Sequence, residues 1–338
     1  MRVTPSQTAV LAPPPRISVV VPTYRRPDLL ERCLQALLAQ SIGAHAFEIL
    51  VVDDGHCDRT RSRVEALAAR HARGFLRYLR PPHGRGPAVA RNCGWRAARA
   101  ELVAFTDDDT VPSAVWLEMG EREMGRRGWM AMAGRVFVPR CPSGAPTDHE
   151  RMTRGLEKAE FVTANAFVRR SGLRRLGGFD ERFQRAWRED TDLQFRLEAL
   201  HGPVGYCHAA LVVHPVRPER WGVSLAQQKN VFFDALLFRK HPRLYRARVR
   251  TIPPLDYYAM VALTLAVPVL SWAGQGLLAG ACALGALALV ARFALRRLRS
   301  TSHRPAHVLE MIATSALIPF LSVYWRLRGA WRFRVWFF

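Results

Sequence analysis

Short, continuous apolar runs alternate with stretches of helical spacing through the first two thirds of the chain. The run ISVVV over 17–21 stops at Pro22. Residues 28–40 follow with Leu29, Leu30, Cys33, Leu34, Leu37 and Leu38 on one helical face, and Arg26-Pro27 stands where a helix-initiating proline belongs. The alternation continues with a strand at 48–52, a helix over 58–72, a strand at 75–79, a helix over 85–100 and a strand at 101–106. Strands apolar at every position are buried on both faces. Joined by helices, they predict an α/β fold with a mostly parallel sheet covered on both sides. Ligands of such sheets bind beyond the carboxyl ends of the strands. Polar clusters stand at three of those ends: Pro22-Thr23-Tyr24, Asp53-Asp54-Gly55 and Asp107-Asp108-Asp109.

The pattern changes after residue 256. Residues 257–295 read YYAMVALTLAVPVLSWAGQGLLAGACALGALALVARFAL, with Arg292 as the only charge. A membrane helix needs about 20 apolar residues. This stretch holds two such lengths around SWAGQG at 271–276, a turn sequence with a Trp suited to an interface. It predicts a helical hairpin that crosses the bilayer and returns; one long tilted span or a buried soluble helix pair are the alternatives. A third apolar segment at 308–325 carries Glu310 and Pro319 and continues into WRLRGAWRFRVWFF. A third crossing would carry Arg326, Arg328, Arg332 and Arg334 to the far side. An amphipathic helix lying in the interface, its arginines on lipid phosphates, is therefore expected.

Charge adds to this picture. The 338 residues include 50 Lys+Arg and 28 Asp+Glu, a net +22, and 49% are hydrophobic, which excludes a disordered basic tail. From Arg217 onward 18 basic residues face 4 acidic ones, so +14 of the +22 lies in the last third. Arg239, Lys240, Arg243, Arg246, Arg248 and Arg250 precede the hairpin; Arg296, Arg297, Arg299 and Arg304 follow it. Positive flanks stay in the cytoplasm, so the bulk of the chain is expected on the cytoplasmic side of the inner (plasma) membrane, with anionic lipids as partners. No zinc spacing, helix-turn-helix cue or aromatic ribonucleoprotein motif is found, and nucleic acid is not an expected partner. The six cysteines include no CxxC pair and point to a reducing compartment. The stretch MRVTPSQTAVLAPPPR lacks the apolar run of a signal peptide and reads as a flexible lead-in over 1–15.

Several clusters carry chemistry. Three carboxylates at 107–109 repel one another unless a cation sits between them. Hard oxygen ligands suit Mg²⁺ or Mn²⁺, which in turn bridge a diphosphate. A capping turn needs only one Asp. Asp53 and Asp54 either accept from a nucleoside or form an Asp-Gly turn. Tyr24 either stacks on a base or is simply half-buried. Glu189 and Asp190 open a helix spanning 191–200; they are either a cap paired with Arg188, or a carboxylate kept ionised by the helix dipole and able to take a proton. His214, after the strand-like run 210–213, is either a metal ligand or structural.

Together these pieces resemble the family 2 glycosyltransferases, inverting enzymes of the glycosyltransferase-A (nucleotide-diphospho-sugar transferase) fold. The resemblance covers 17–215 and rests on VVVPTYRRPDLLERCLQALLAQ, EILVVDDG, GPAVARNCGWRAARAELVAFTDDDT, TANAFVRRSGLRRLGGFDERF and REDTDLQFRL, in that order. It implies a nucleotide-diphosphate sugar donor, a uridine nucleotide by preference, and a divalent metal, Mg²⁺ or Mn²⁺. Nucleotide contacts would come from Pro22, Thr23, Tyr24, Arg26, Asp53, Asp54, Arg91, Asn92, Asp107 and Asp108. Asp109, Asp107 and His214 would hold the metal, and Asp190 would be the catalytic base. Asn165, Ala166, Trp187, Arg188 and Glu189 would line the acceptor and sugar pocket. The QxxRW motif of polymerising members is not found, so processive synthesis is not expected. The implied organisation is a catalytic domain over 16–238, a basic linker over 239–256, the hairpin over 257–295 and a basic amphipathic segment over 296–338. The acceptor expected beside a membrane hairpin is a lipid-linked or cell-envelope glycan. A non-catalytic membrane scaffold of the same fold is the alternative.

Overall fold

A computed structural model describes residues 14–140 and 144–337; the first thirteen residues of the lead-in, and Cys141, lie outside the described residues. The first half opens as β1 (Ile17–Thr23), α1 (Pro27–Leu38), β2 (Phe47–Asp53), α2 (Asp58–Ala68), β3 (Leu76–Leu79), α3 (Pro87–Ala97) and β4 (Leu102–Phe105). It continues through β5 (Val111–Pro112), α4 (Trp116–Arg127), β6 (Ala131–Phe137), α5 (Asp148–Thr153), β7 (Ala166–Arg169), α6 (Arg170–Leu176), α7 (Glu189–His201) and β8 (Gly205–Val213). These strands make one sheet in the order β3-β2-β1-β4-β7-β6-β8-β5.

Strands β1 to β4 pair in parallel, with Ile17 opposite both Phe47 and Leu102. Every residue of β2 is buried, as is every residue of β1 except half-buried Pro22. Successive side chains point to opposite faces. Val19 and Val21 join Leu30, Leu34 and Trp116 in one core, and Val20 joins Val52, Trp95 and Leu193 in the other. β7 departs from the parallel expectation: it runs antiparallel to both β4 and β6. It is reached from β6 through α5 and short 3₁₀ turns, a connection that begins and ends at the same end of the sheet. Helix α3 lies so close to the sheet that a Cβ on Gly94 would come within 2.3 Å of Val20 Cγ1. Gly94→Ala is expected to cost about 1–3 kcal/mol through overpacking, seen as a lowered thermal unfolding midpoint of the detergent-solubilised protein.

The second half comprises α8 (Val223–Gln227), α9 (Val231–Lys240), α10 (Pro242–Leu244), α11 (Leu255–Trp272), α12 (Gly276–Leu298) and α13 (Pro305–Arg332). Among the described residues, α11, α12 and α13 are long and apolar enough to cross a membrane. α11 and α12 form the expected hairpin, turning at Gly274 with φ of 72°. The third segment leaves Arg328, Arg332 and Arg334 exposed and buries Arg326. It is a single helix of 28 residues, and its polar stripe faces protein. His307, Thr314, Ser315, Ser322 and Arg326 are all buried on that stripe, which packs against α8, α9 and α12. Arg326, expected on lipid phosphates, instead lies over the Phe337 ring at 4.4 Å. Arg297, expected in the basic flank, is also buried. It bonds Asp148 Oδ2 at 2.8 Å and the hydroxyls of Thr314 and Ser315 at 2.7 and 3.0 Å, tying the hairpin to α5. Burial alone would raise the Asp148 pKa, but the Arg297 and Arg151 guanidiniums hold it below the usual carboxylate range.

A third core unites both halves. Phe183, Phe195, Phe233, Tyr245, Phe333 and Phe337 pack together, so residues beyond α13 sit beneath α7 and α9. The boundary expected at residue 238 falls inside α9.

Candidate active site

The sheet order sets β2, β1 and β4 side by side, so their carboxyl ends converge, and α7 begins beside them. The triple-Asp cluster follows β4. Asp107, Asp109 and His214 each offer a ligand atom, and these atoms lie within 4.8 Å of one another. Asp109 Oδ1 is 3.6 Å from His214 Nε2, and its Oδ2 is 3.0 Å from Arg217 Nε. Two oxygens and an imidazole nitrogen form a donor set suited to a divalent cation.

Asp108 turns the other way. It accepts from Thr23 Oγ1 at 2.7 Å and meets Arg26 Nη1 at 3.5 Å, which locks the loop after β1. Burial, and then the charge of Asp109, push its pKa up to about 6. Thr23 and Asp108, both expected on the nucleotide, are thus bonded to each other. Pro22 is half-buried beside them, and Tyr24 stands exposed at the mouth with the Arg25 guanidinium 5.4 Å from its ring.

The pair after β2 divides its work. Asp53 is fully buried and accepts from Gly55 N, Cys57 N and Tyr78 Oη at 2.7–2.9 Å. It builds the turn and has no face for a nucleoside, contrary to expectation. Asp54 Oδ2 accepts from Gly86 N at 2.8 Å, while its Oδ1 is buried without a partner.

Arg91 joins two motifs far apart in the chain. Its Nη2 donates to Asp107 Oδ1 at 2.8 Å, and its Nη1 donates to Glu189 Oε1 at 2.9 Å. Glu189 was expected in the acceptor pocket; it is buried and serves this bridge instead. Its burial, and then neighbouring Asp190, raise its pKa. Asp190 is half-buried in the first turn of α7, with Oδ1 accepting from Thr191 N at 2.7 Å. Among the described residues, no donor bonds its Oδ2. Burial raises its pKa even though Arg91 and the helix N–H pull it down. The dipole alone predicted an ionised group; desolvation works against it.

Five further expectations are corrected. Asn92 is fully buried: its amide donates to Phe179 O and Glu181 and accepts from Trp95 Nε1 and Phe179 N, which pins the turn before Asp180. Asn165 is equally enclosed, accepting from Trp116 Nε1 and donating to Arg135 O and Ala210 O across the irregularity at Gly134/Arg135. Ala166 is buried in β7 between Phe105 and Ala133. Trp187 Nε1 and Arg188 Nε both donate to Asp234 Oδ1, at 2.9 and 2.7 Å, so both are turned toward α9.

Two residues that complete the site, Asp234 and Arg217, were not singled out from the sequence. Asp234 had no local signal. Arg217 had one: 217–221 reads RPERW, the Arg-Trp end of the absent QxxRW pattern with arginine in the glutamine's place.

Residues 102–327, more than half of the chain, match the family model described as Glycosyl transferase family group 2, and residues 18–184 match Glycosyl transferase family 2. The chain belongs to the family 2 glycosyltransferases. Glycosyltransferase AglE of Haloferax volcanii is 25% identical over 238 residues, covering 67% of this chain and 77% of that protein. Validoxylamine A glucosyltransferase of Streptomyces hygroscopicus subsp. jinggangensis is 28% identical over 279 residues, covering 68% of this chain and 62% of that protein. The chain thus spans less than two thirds of that glucosyltransferase's length. Among solved structures, the mannosyltransferase PcManGT of Pyrobaculum calidifontis, in complex with GDP-Man and Mn²⁺, superposes with a TM-score of 0.55 at 20% identity, covering 94% of this chain and 88% of that one. Residues 1–349 of S. aureus TarS in complex with UDP give a TM-score of 0.50 at 17% identity, covering 93% and 92%. These likenesses show the glycosyltransferase-A fold for this glycosyltransferase.

Proposed function

We propose that this glycosyltransferase moves a sugar from a nucleotide-diphosphate donor to an acceptor hydroxyl with inversion. Asp190 is the base, and a divalent cation, Mg²⁺ or Mn²⁺, is held by Asp109, Asp107 and His214. The observation that carries this reading is the Asp107–Arg91–Glu189 bridge, which holds the start of α7 against the acidic cluster. His214 is buried with Nε2 3.6 Å from Asp109 Oδ1, a nitrogen placed where it can join the two carboxylates on a cation.

When bound, the cation neutralises charge developing on the leaving diphosphate. Asp54, with one oxygen unpartnered, accepts from the nucleoside, and Tyr24, Pro22 and Arg26 border that side. The acceptor oxygen bonds to the anomeric carbon opposite the leaving group while the carbon–oxygen bond to the diphosphate breaks. Asp190 takes the hydroxyl proton, and the electron pair leaves with the diphosphate. A single displacement inverts the anomeric configuration. The complexes of the two neighbours, with GDP-Man and Mn²⁺ and with UDP, support a nucleotide-sugar donor and a metal; a uridine nucleotide is the donor we propose.

The three apolar helices support a membrane enzyme acting on a lipid-linked or cell-envelope glycan. The arginine flanks support a catalytic domain on the cytoplasmic side of the inner membrane, resting on anionic lipids. Detergent-solubilised enzyme with Mn²⁺ and a panel of uridine-diphosphate hexoses is expected to release nucleotide, and EDTA to stop it. Asp109→Asn is expected to slow release by about 10²–10³-fold. Release at the parental rate in EDTA would sink the metal assignment.

A further inference from the structure

The helix that carries the proposed base starts from an unfavourable backbone conformation. Arg188 is the N-cap of α7, two residues before Asp190, with φ of 76° and ψ of −8°, in the left-handed region. An L side chain disfavours that region roughly tenfold. Helix α8 begins on the same conformation but with a glycine, Gly222, which adopts it freely. A non-glycine residue stays left-handed only where its surroundings hold it there.

The hold on Arg188 comes from α9. Asp234 Oδ1 accepts from Arg188 Nε at 2.7 Å and from Trp187 Nε1 at 2.9 Å, and the Arg188 guanidinium lies 4.6 Å from the centre of the Trp187 ring. Asp234 is buried, and a charge-assisted bond away from water is a strong one. Its helix is anchored twice more. Lys240 Nζ and His241 Nε2, at the end of α9, meet Oδ1 of the fully buried Asp192 at 2.6 and 2.9 Å. Gly329 of α13 lies so close to α9 that a Cβ would come within 2.6 Å of Phe232 O. Asp234 therefore acts from a rigid support on a turn that would relax without it.

We propose that Asp234 is a positioning residue for the base: its carboxylate keeps Arg188 left-handed, which sets the first turn of α7 and aims the Asp190 carboxylate at the acceptor. The inference rests on the transferase reading above. Asp234 touches no substrate in this role. It acts through population, since only molecules with residue 188 left-handed have the base in place.

The test measures nucleotide release by full-length enzyme in detergent, with Mn²⁺, uridine-diphosphate hexoses and water as the acceptor. Asp234→Ala should lower kcat about tenfold, the bias of an L residue against the left-handed region. The donor KM should not move, because the donor side of the site is built on the ends of β1, β2 and β4. Glycine needs no anchor to be left-handed, so Arg188→Gly/Asp234→Ala should turn over about tenfold faster than Asp234→Ala alone. A carboxylate that only stabilised the fold would show no such rescue, since glycine removes contacts and adds chain entropy. If Asp234→Ala fails to fold, Arg188→Gly is compared with Arg188→Ala: both lack the ion pair, and glycine should be about tenfold faster. An unchanged kcat in Asp234→Ala, or no gain from glycine in either comparison, overturns the positioning role and leaves the transferase reading intact. A parent that releases no nucleotide overturns that reading, and the positioning role with it.

Discussion

Asp190→Asn should bind donor as the parent does and transfer it about 10²–10⁴-fold more slowly. The amide keeps the shape of the carboxylate, and its oxygen can still accept from Thr191 N, so α7 keeps its first turn. It cannot take a proton from the acceptor. The pH profile supplies a second readout. Burial raises the Asp190 pKa above its ordinary 3.8. A base with a raised pKa becomes protonated at a higher pH, so the acid limb of the parental rate should lie above that of an ordinary aspartate. Asp190→Asn should lose that limb. A parental rate in the variant, or an acid limb that survives the substitution, would reassign the base.

Arg91→Met should produce the largest loss of stability of any single change at the site. The guanidinium is buried between two carboxylates of separate motifs, and Glu189 Oε2 already lacks a partner. Removing the cation leaves like charges together in a desolvated place, at about 3–5 kcal/mol. Lysine offers a point charge rather than a fork, so Arg91→Lys cannot serve both carboxylates and should also lose activity. The double variant Arg91→Met/Glu189→Gln removes the stranded charge and should regain part of the unfolding midpoint. Full additivity of the two single effects would show that the bridge carries no coupling.

The first four strands, their helices and the hairpin could be read from the chain because their signals are local. Val19, Val20 and Val21 are apolar in succession only because both faces of the sheet are covered. Asp109 and His214 both stand at strand ends, and the fold brings their ligand atoms within 4.8 Å. Asp53 and Asn92 could not be separated from residues that face a ligand. Their roles depend on Tyr78 and Phe179, donors and acceptors distant in sequence. The polar stripe of α13 was ambiguous for the same reason: headgroups and the buried face of a protein both favour Ser, Thr and Arg, and only α8, α9 and α12 decide between them. β7 was invisible as an antiparallel strand because direction is a property of the connection, not of the four residues.

The third core also sets an order of events during synthesis. α7 carries the proposed base at its start and buries Phe195 in its middle, against a cluster that includes Phe333 and Phe337. Those two phenylalanines follow all three apolar helices in the chain. The floor beneath the base helix stays open until residues 333–337 arrive, after α11 to α13 have been made. The core beneath α7 is thus complete only when the residues after all three apolar helices are in place.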